Sequence, residues 1–259
     1  MKIFFSESKP EYKTYTFNYG IYCIKEDNKE LTTIYEKGFL PYSGNTELQA
    51  EIFYLARSLR VDLDRFVDSS ENRRVNRKIE PLNIKVEFLS KNDVLSDDPG
   101  FHPFCEQYVS ARIGEAMTPS RLQYILDLTT GTHVFRFTRD DHVVGYVLAV
   151  VSLEIVHYWF SFFDLELMRS HSLGKWMMWS VIQWAKSANK KSVYLGTAYG
   201  EKALYKVRDH KGLSFFDGSS WNEDMDLLKS WCKTDQDRDA TDRFKLAEDA
   251  NLYIQNIFP

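Results

Sequence analysis

The stretch HYWFSFFDLELMRSHSLGKW, His157 to Trp176, decides how this chain folds. Tyr158, Phe160 and Phe162 recur at every second position, the period of a strand. Two acids follow at Asp164 and Glu166, and then Ser172-Leu173-Gly174 opens a run in which Leu173, Met177, Val181 and Ala185 recur at helical spacing. A helix is therefore expected from about Leu173 to Ala188, closed by the basic NKK that suits a helix C-terminus. A strand set against a glycine-bearing turn has two meanings. Either the glycine only lets the chain bend, or the turn offers unpaired backbone N–H groups to an anion or a carbonyl oxygen.

Reading outward, two further strands precede the stretch, THVFRFTRD and HVVGYVLAVVSLE, joined by an RDDH turn. The strand SVYLGTAY and the helix EKALYKVRDH follow it. Upstream, FCEQYVSARIGEAM and TPSRLQYILDLTT have helical patterns, the second with Thr118 as cap and Pro119 at its first position. Within the first 80 or so residues, YKTYTFNYGIYCI and LARSLRVDLDRF alternate like strands, and ELTTIYEKGFL predicts a short helix ending at Gly38. SSENRRVNRK predicts a helix capped by Ser69 or Ser70, with Glu71 in the first turn, where the macrodipole favours an acid. The polar SKNDVLSDDPGFHP, Ser90 to Pro103, is expected to be a linker, and the C-terminal NEDMDLLKSWCK…NLYIQNI to be helical. This divides the chain into a smaller N-terminal α+β domain over 1–89 and a larger domain over 90–259.

Antiparallel strands followed by strand–helix–strand are the core order of the GNAT acyltransferase fold, an α/β (α+β) architecture. In that fold two neighbouring parallel strands splay, here Tyr158–Asp164 and Ser192–Tyr199, and the helix between them aims its N-terminus at the ligand. The GNAT signature for coenzyme A resembles [Q/R]-x-x-G-x-[G/A]. This chain offers RSHSLG, with Arg169 in place but Ser172 where the first glycine belongs. A side chain there opposes close backbone approach to phosphate. Coenzyme-A-dependent N-acylation is therefore the second enzymatic reading, and a catalytically silent GNAT-like binding module the non-enzymatic one.

Composition narrows the field. The 259 residues are 44% hydrophobic and 15% aromatic, which fits a globular chain with a proper core. No stretch reaches the roughly 18–20 uncharged apolar residues that a membrane span needs, and MKIFFSESKPEYKTY lacks a signal peptide's apolar segment. Cys23, Cys105 and Cys232 are far apart and form no CxxC, so neither a disulfide framework nor a cysteine metal site is expected, and the cytoplasm is the expected location. The net charge of −4 gives no global attraction to nucleic acid, so RNA binding would need a local patch. His157 and His171 bracket the strand–helix junction without metal-ligand spacing, and packing or capping roles are expected for both.

Several short motifs fall into one order: YEKGFLPYSGN, SENRRVNRK, SLGKWMMWSVIQWAK, VYLG and EKALYK. The series resembles the aminoacyl-tRNA–protein transferases, the arginyl- and leucyl-transferases of the N-end rule pathway, down to the 22-residue step from Ser172 to Tyr194. The resemblance is strongest over 157–206. It departs at GFLPYSG, where Leu40 and Pro41 replace the family's arginines, at YLGTAYG, and in lacking the N-terminal cysteine cluster. No metal or other cofactor is carried over. The resemblance implies attack by an amine of a protein, peptide or small molecule on the ester of an aminoacyl-tRNA, with no membrane involved. An α-amine has a pKa near 7.7–8.0, so roughly a tenth or more is already free at neutral pH, and positioning matters more than a strong base. Asp164 and Glu166 would take the amine's proton, or pair a cationic group. Tyr158, Phe160 and Phe162 would floor the cleft, with Ser172, Leu173 and Gly174 supplying backbone donors and Tyr194 and Gly196 the facing strand. Lys202, Tyr205 and Lys206 match the family's KM.YK and would share one helical face, with Tyr205 and Lys206 catalytic. Arg73, Arg74, Arg77 and Lys78, the dense basic run, would track the RNA backbone.

Overall fold

The computed structural model describes residues 1–11, 16–44, 46 and 50–235. Strands β1 (Lys2–Glu11) and β2 (Thr16–Ile24) lead into helix α1 (Leu31–Glu36), strands β3 (Phe39–Pro41), β4 (Ile52–Leu55) and β5 (Ser58–Asp62), and helix α2 (Ser70–Ile79). Then come β6 (Lys85–Ser90), α3 (Lys91–Asp97), α4 (Phe101–Arg112), α5 (Pro119–Asp127), β7 (His133–Arg139), β8 (His142–Val151) and β9 (Ile155–Phe163). Helices α6 (Leu165–His171) and α7 (Leu173–Ser187), strand β10 (Ser192–Thr197), helix α8 (Leu204–Asp209), strands β11 (Leu213–Phe216) and β12 (Trp221–Asn222) and helix α9 (Met225–Thr234) follow. The expected helix in the C-terminal region is present as α9, and its continuation to NLYIQNI lies outside the described residues.

Eight strands form one sheet in the order β12-β11-β5-β10-β9-β8-β7-β6, and β1-β2-β4-β3 form a second. Within the large sheet only β9 and β10 run parallel, joined by the α6–α7 crossover. The alternation of side chains sorts its residues between two covered faces. On one face Val147, Ala149, Val156, Val193 and Leu195 pack under α2, α7 and α9. On the other, Val134, Tyr146 and Leu148 meet α4 and α5, while Val150, Ile155 and Tyr194 meet α1 and the small sheet. The result is a mixed α/β three-layer arrangement with buried strands on both sides. Strand β5 lies between β10 and β11, and β6 pairs with β7, so strands from both sides of the 89/90 division belong to one sheet.

Local chemistry explains most boundaries. Helix α2 starts in a reciprocal capping box: Ser69 Oγ accepts from Asn72 N at 3.0 Å, and Asn72 Oδ1 accepts from Ser69 N at 3.0 Å. Thr118 Oγ1 caps α5 by accepting from Arg121 N at 3.2 Å. Asp140 and Asp141 both take left-handed φ, of 48° and 62°, the requirement of a type I′ hairpin between β7 and β8.

The expected linker at Ser90–Pro103 is instead helix α3 and the start of α4. Its polar surface hides two tertiary anchors. Val94 is buried, and the Lys91 ammonium turns inward to donate to Leu126 O and Leu128 O at 2.7 and 2.8 Å. A cation there complements the carbonyl end of α5, although burial lowers the Lys91 pKa. The second departure lies in the decisive stretch itself. The strand does not run directly into the Ser-Leu-Gly turn, because a short helix, α6, stands between them, capped by Asp164, whose Oδ1 accepts from Leu167 N at 2.7 Å.

Candidate functional site

Strands β9 and β10 pair in register only from Ser192↔Ile155 to Tyr194↔His157 and then separate. Beyond that point β9 carries a bulge. Leu148 faces Phe160 and Ala149 faces Tyr158, so Trp159 is an extra residue. The bulge corrects the expectation that Tyr158, Phe160 and Phe162 form one floor. Tyr158 packs into the core under α7, whereas Phe160 and Phe162 pack on the opposite side with α4 and α5. Burial raises the Tyr158 phenol far above its usual range.

On the small-sheet side of the gap lies a buried pair, of which the sequence singled out only His157, with a packing or capping role expected. The Tyr35 hydroxyl and His157 Nδ1 are 2.9 Å apart, and the two residues are 0% and 2% exposed. Burial, reinforced by the nearby Lys206 cation, pushes the His157 pKa down to about 3, so the ring is neutral at physiological pH. Its Nε2 is buried without a hydrogen-bond partner among the described residues. The one available signal was a histidine inside an otherwise aromatic strand, since its partner lies 122 residues away.

Lys206 enters the gap from α8. Its Nζ donates to Thr197 O at 3.0 Å, and burial lowers its pKa to about 8. Gly196, at φ +80°, supplies the space: a Cβ there would stand 3.7 Å from Lys206 Nζ and 4.0 Å from His157 Nε2. Two side-chain nitrogens therefore converge on the bare side of one glycine.

The remaining residues are distributed as follows. Tyr194 is fully buried against Tyr35 and Trp221, with ring centroids 4.8 and 5.7 Å apart, and its phenol is raised to about 12 by burial. Lys202, Tyr205 and Lys206 differ in burial and in the kind of helix that carries them. Lys202 is exposed on a 3-10 turn, Glu201–Ala203, while Tyr205 and Lys206 are on α8, where Tyr205 packs against the core with its phenol raised to about 12 by burial. Asp164 serves as the cap of α6, and Glu166 is exposed in its first turn. His171, in the last turn of α6, has Nδ1 2.7 Å from Ser170 Oγ. Arg73, Arg74, Arg77 and Lys78 are exposed on α2, whose other face buries Val75 and Ile79. Arg74 is engaged by Glu71 through two 2.7 Å hydrogen bonds, and Arg73 donates to Asp68 O at 2.7 Å. Arg77 and Lys78 have no acidic partner among the described residues. Cys23, Cys105 and Cys232 are buried and form no disulfide among the described residues, and Cys232 Sγ donates to Ala198 O at 3.3 Å. Among the described residues no group of three His, Cys, Asp or Glu side chains could hold a metal ion. No helix among them is long and apolar enough to cross a membrane.

The start of α7 is where a GNAT fold would seat the coenzyme A diphosphate, so its chemistry can be tested directly. Ser172 is left-handed (φ 62°, ψ 40°), joins α6 to α7 and makes no side-chain cap. Leu173 is fully buried. The missing Cβ of Gly174 does not leave room for a ligand: it would lie 2.8 Å from Phe163 Cζ, so the glycine admits an aromatic ring. Lys175, in the first turn of α7, has its Nζ already held by Glu71 at 3.0 Å and by the buried Asp209 carboxylate at 2.8 Å, while Arg169 lies exposed in the last turn of α6. Arg74 first, and then Lys175, depress the Glu71 pKa to about 2, so it is an anion at any physiological pH. A diphosphate would meet two carboxylates and a filled glycine notch. These residues do not fit that group.

Residues 91–207 match the family model for an acetyltransferase (GNAT) domain. Together with the strand order and the divergence of β9 and β10, this places a GNAT-like domain in the protein, a fold of acyltransferase type. No curated protein matches the chain. Among solved structures it overlaps the DUF2156 C-terminal domain of a protein from Agrobacterium fabrum provisionally assigned as a lysylphosphatidylglycerol synthetase, at 12% identity and TM-score 0.43, covering 68% of this chain and 54% of that one. For L-PGS from Bacillus licheniformis the figures are 10%, 0.42, 68% and 51%, and for FemX 10%, 0.43, 69% and 63%. The chain thus spans about half to under two thirds of the length of these proteins. No arginyl- or leucyl-tRNA–protein transferase is among them. The fold assignment rests on the family model and the strand order.

Proposed function

We propose that this protein is a cytoplasmic aminoacyltransferase that moves an amino acid, of arginyl or leucyl type, from aminoacyl-tRNA to an amino group of a protein, peptide or small molecule. The observation that carries the reading is the low-pKa Lys206 amine in the β9–β10 gap, with no diphosphate cradle beside it. With a pKa of about 8, Lys206 exchanges a proton readily near neutrality. The acceptor amine attacks the ester carbonyl, forming the C–N bond. Its surplus proton passes to neutral Lys206, and the resulting ammonium returns a proton to the departing ribose oxygen as the C–O bond breaks. Arg77 and Lys78, with Arg73, give an aminoacyl-tRNA its backbone contacts on α2. Asp164, committed to a helix cap, holds the end of β9 rather than taking a proton.

The test is incubation of the full chain with each of the twenty aminoacyl-tRNAs, radiolabelled in the amino acid, and a panel of amine acceptors. Transfer from one or a few is the expected result, and no transfer from any sinks the proposal. The match to an acetyltransferase domain favours acetyl-CoA as the second donor, so labelled acetyl-CoA is run beside the tRNAs. Tight tRNA binding without transfer from either donor would leave a GNAT-like binding module.

A further inference from the structure

His157 takes no part in the proton transfers assigned to Lys206, yet it is the most constrained polar group in the gap. Its Nδ1 is 2.9 Å from the Tyr35 hydroxyl, and its Nε2 is buried and unpartnered on the side where Gly196 has no side chain. The tautomer follows from the donor and acceptor strengths of the two groups. The Tyr35 hydroxyl is fully buried, and His157 Nδ1 is its hydrogen-bond partner among the described residues. Either tautomer leaves one buried hydrogen without an acceptor, but the phenol is the stronger donor and the imidazole nitrogen the stronger acceptor of the pair. Tyr35 therefore donates to Nδ1, and the ring proton sits on Nε2, aimed into the gap. A buried N–H donor with no acceptor carries the full desolvation cost of that group. Packing alone would be met better by a phenylalanine, as at Phe160, Phe162 and Phe163 of the same strand.

We propose that His157 is a catalytic hydrogen-bond donor whose Nε2–H receives the acyl carbonyl oxygen of the donor substrate opposite Lys206, with Tyr35 as the positioning residue that fixes its tautomer. As the amine attacks, the carbonyl π pair moves onto oxygen, and the neutral imidazole donates to the developing oxyanion without losing its proton. When the tetrahedral adduct collapses, the pair returns to carbon and the ribose oxygen leaves with the proton from Lys206. The Lys206 side chain is only half-buried and unbranched, so it is the element that yields to admit the carbonyl. The proposal rests on acylation of an amine at this gap and not on which donor is used, because an ester and a thioester present the same carbonyl.

The test uses the full chain with 15N-labelled histidine. The wild type should show a neutral His157 protonated on Nε2, and Tyr35→Phe should convert it to a mixture of tautomers with the fold intact. Puromycin, whose aminoacyl group is amide-linked to a nucleoside, and acetyl-CoA are then added separately. Whichever binds, detected by thermal stabilisation, should shift the His157 Nε2–H resonance. Kinetically, His157→Phe should lower kcat by about 10²–10³, the usual loss of one oxyanion donor. His157→Gln, which keeps an N–H at similar reach, should recover part of it. A response to acetyl-CoA alone would retain the His157 assignment while removing the tRNA reading. An Nδ1–H tautomer, a bound probe that leaves Nε2–H unmoved, or no response to either probe would overturn it.

Discussion

If Gly174 is glycine because Phe163 needs the space, replacing it should be a packing event, and Gly174→Ala tests this. The added Cβ would lie 2.8, 3.0 and 3.3 Å from three atoms of the Phe163 ring, closer than ordinary contact. Retreat of the ring is opposed by Tyr108, whose ring centroid is 4.8 Å away at 61°. Overpacking of this kind costs about 1–3 kcal/mol, against a gain of roughly 0.5–1 kcal/mol when alanine replaces glycine in a helix. The net loss should be about 1 kcal/mol, or a fall of roughly 2–4 °C in Tm for a chain of this size. Urea denaturation of the wild type, Gly174→Ala, Phe163→Leu and the double variant forms a thermodynamic cycle. In the Phe163→Leu background the alanine should become neutral or stabilising, a coupling of about 1–2 kcal/mol between the sites. An equal cost in both backgrounds would refute the packing explanation and return the glycine to a ligand-facing role.

Lys206→Met should abolish transfer while stabilising the fold at pH 7. The amine's folded pKa of about 8 lies below its ordinary 10.5, so its charged form is the costly one, and the gain should fade as thermal melts are taken towards pH 10. Replacing Arg73, Arg77 and Lys78 with glutamate should reduce the slope of log affinity for tRNA against log salt by about 3, measured by filter binding, with Tm unchanged. Asp235→Ala should cost about 3–5 kcal/mol in urea melts, because it strips a bidentate partner from Arg57, which is 8% exposed and hydrogen-bonded to Asp235 at 2.9–3.1 Å. His210 is buried, and its pKa is lowered to about 4, chiefly by that burial. Stability present above pH 6.5 should therefore drain as pH falls towards 4, at up to about 1.4 kcal/mol per pH unit. His210→Phe should flatten the stability–pH curve by that slope, whatever its effect on stability at neutral pH.

What could be read from the sequence was what local periodicity controls. The strand character of β9, the Leu173–Ala185 stripe of α7 and the caps at Ser69 and Thr118 each declare themselves within a few residues, and each is where it was expected. What escaped depends on partners far along the chain. Lys91 looks like a linker residue until Leu126 O and Leu128 O are beside it. The bulge at Trp159 is a mismatch with β8 that nothing in HYWFSFF announces, and it alone separates Tyr158 from Phe160 and Phe162. Helix α6 had one local sign, Asp164 three residues before Leu167, which is as consistent with a strand-end acid as with a cap.

The same dependence shapes the candidate site. The matched segment, residues 91–207, contains the diverging strands and Lys206, the parts a GNAT-like unit supplies by itself. It does not contain Tyr35, which fixes the His157 ring, or β5, which pairs with β10 up to Tyr194 and again at Thr197. Between those points β5 and β10 lose register, which is where Gly196 turns to φ +80° and opens the space between the two nitrogens. One wall of the gap is thus made by the first 62 residues, through a buried hydroxyl and an antiparallel neighbour strand. An element that only stiffened the sheet would gain nothing from placing a phenol against an imidazole whose other nitrogen has no partner. On the role proposed for His157, the N-terminal segment contributes chemistry to the gap as well as cover for it.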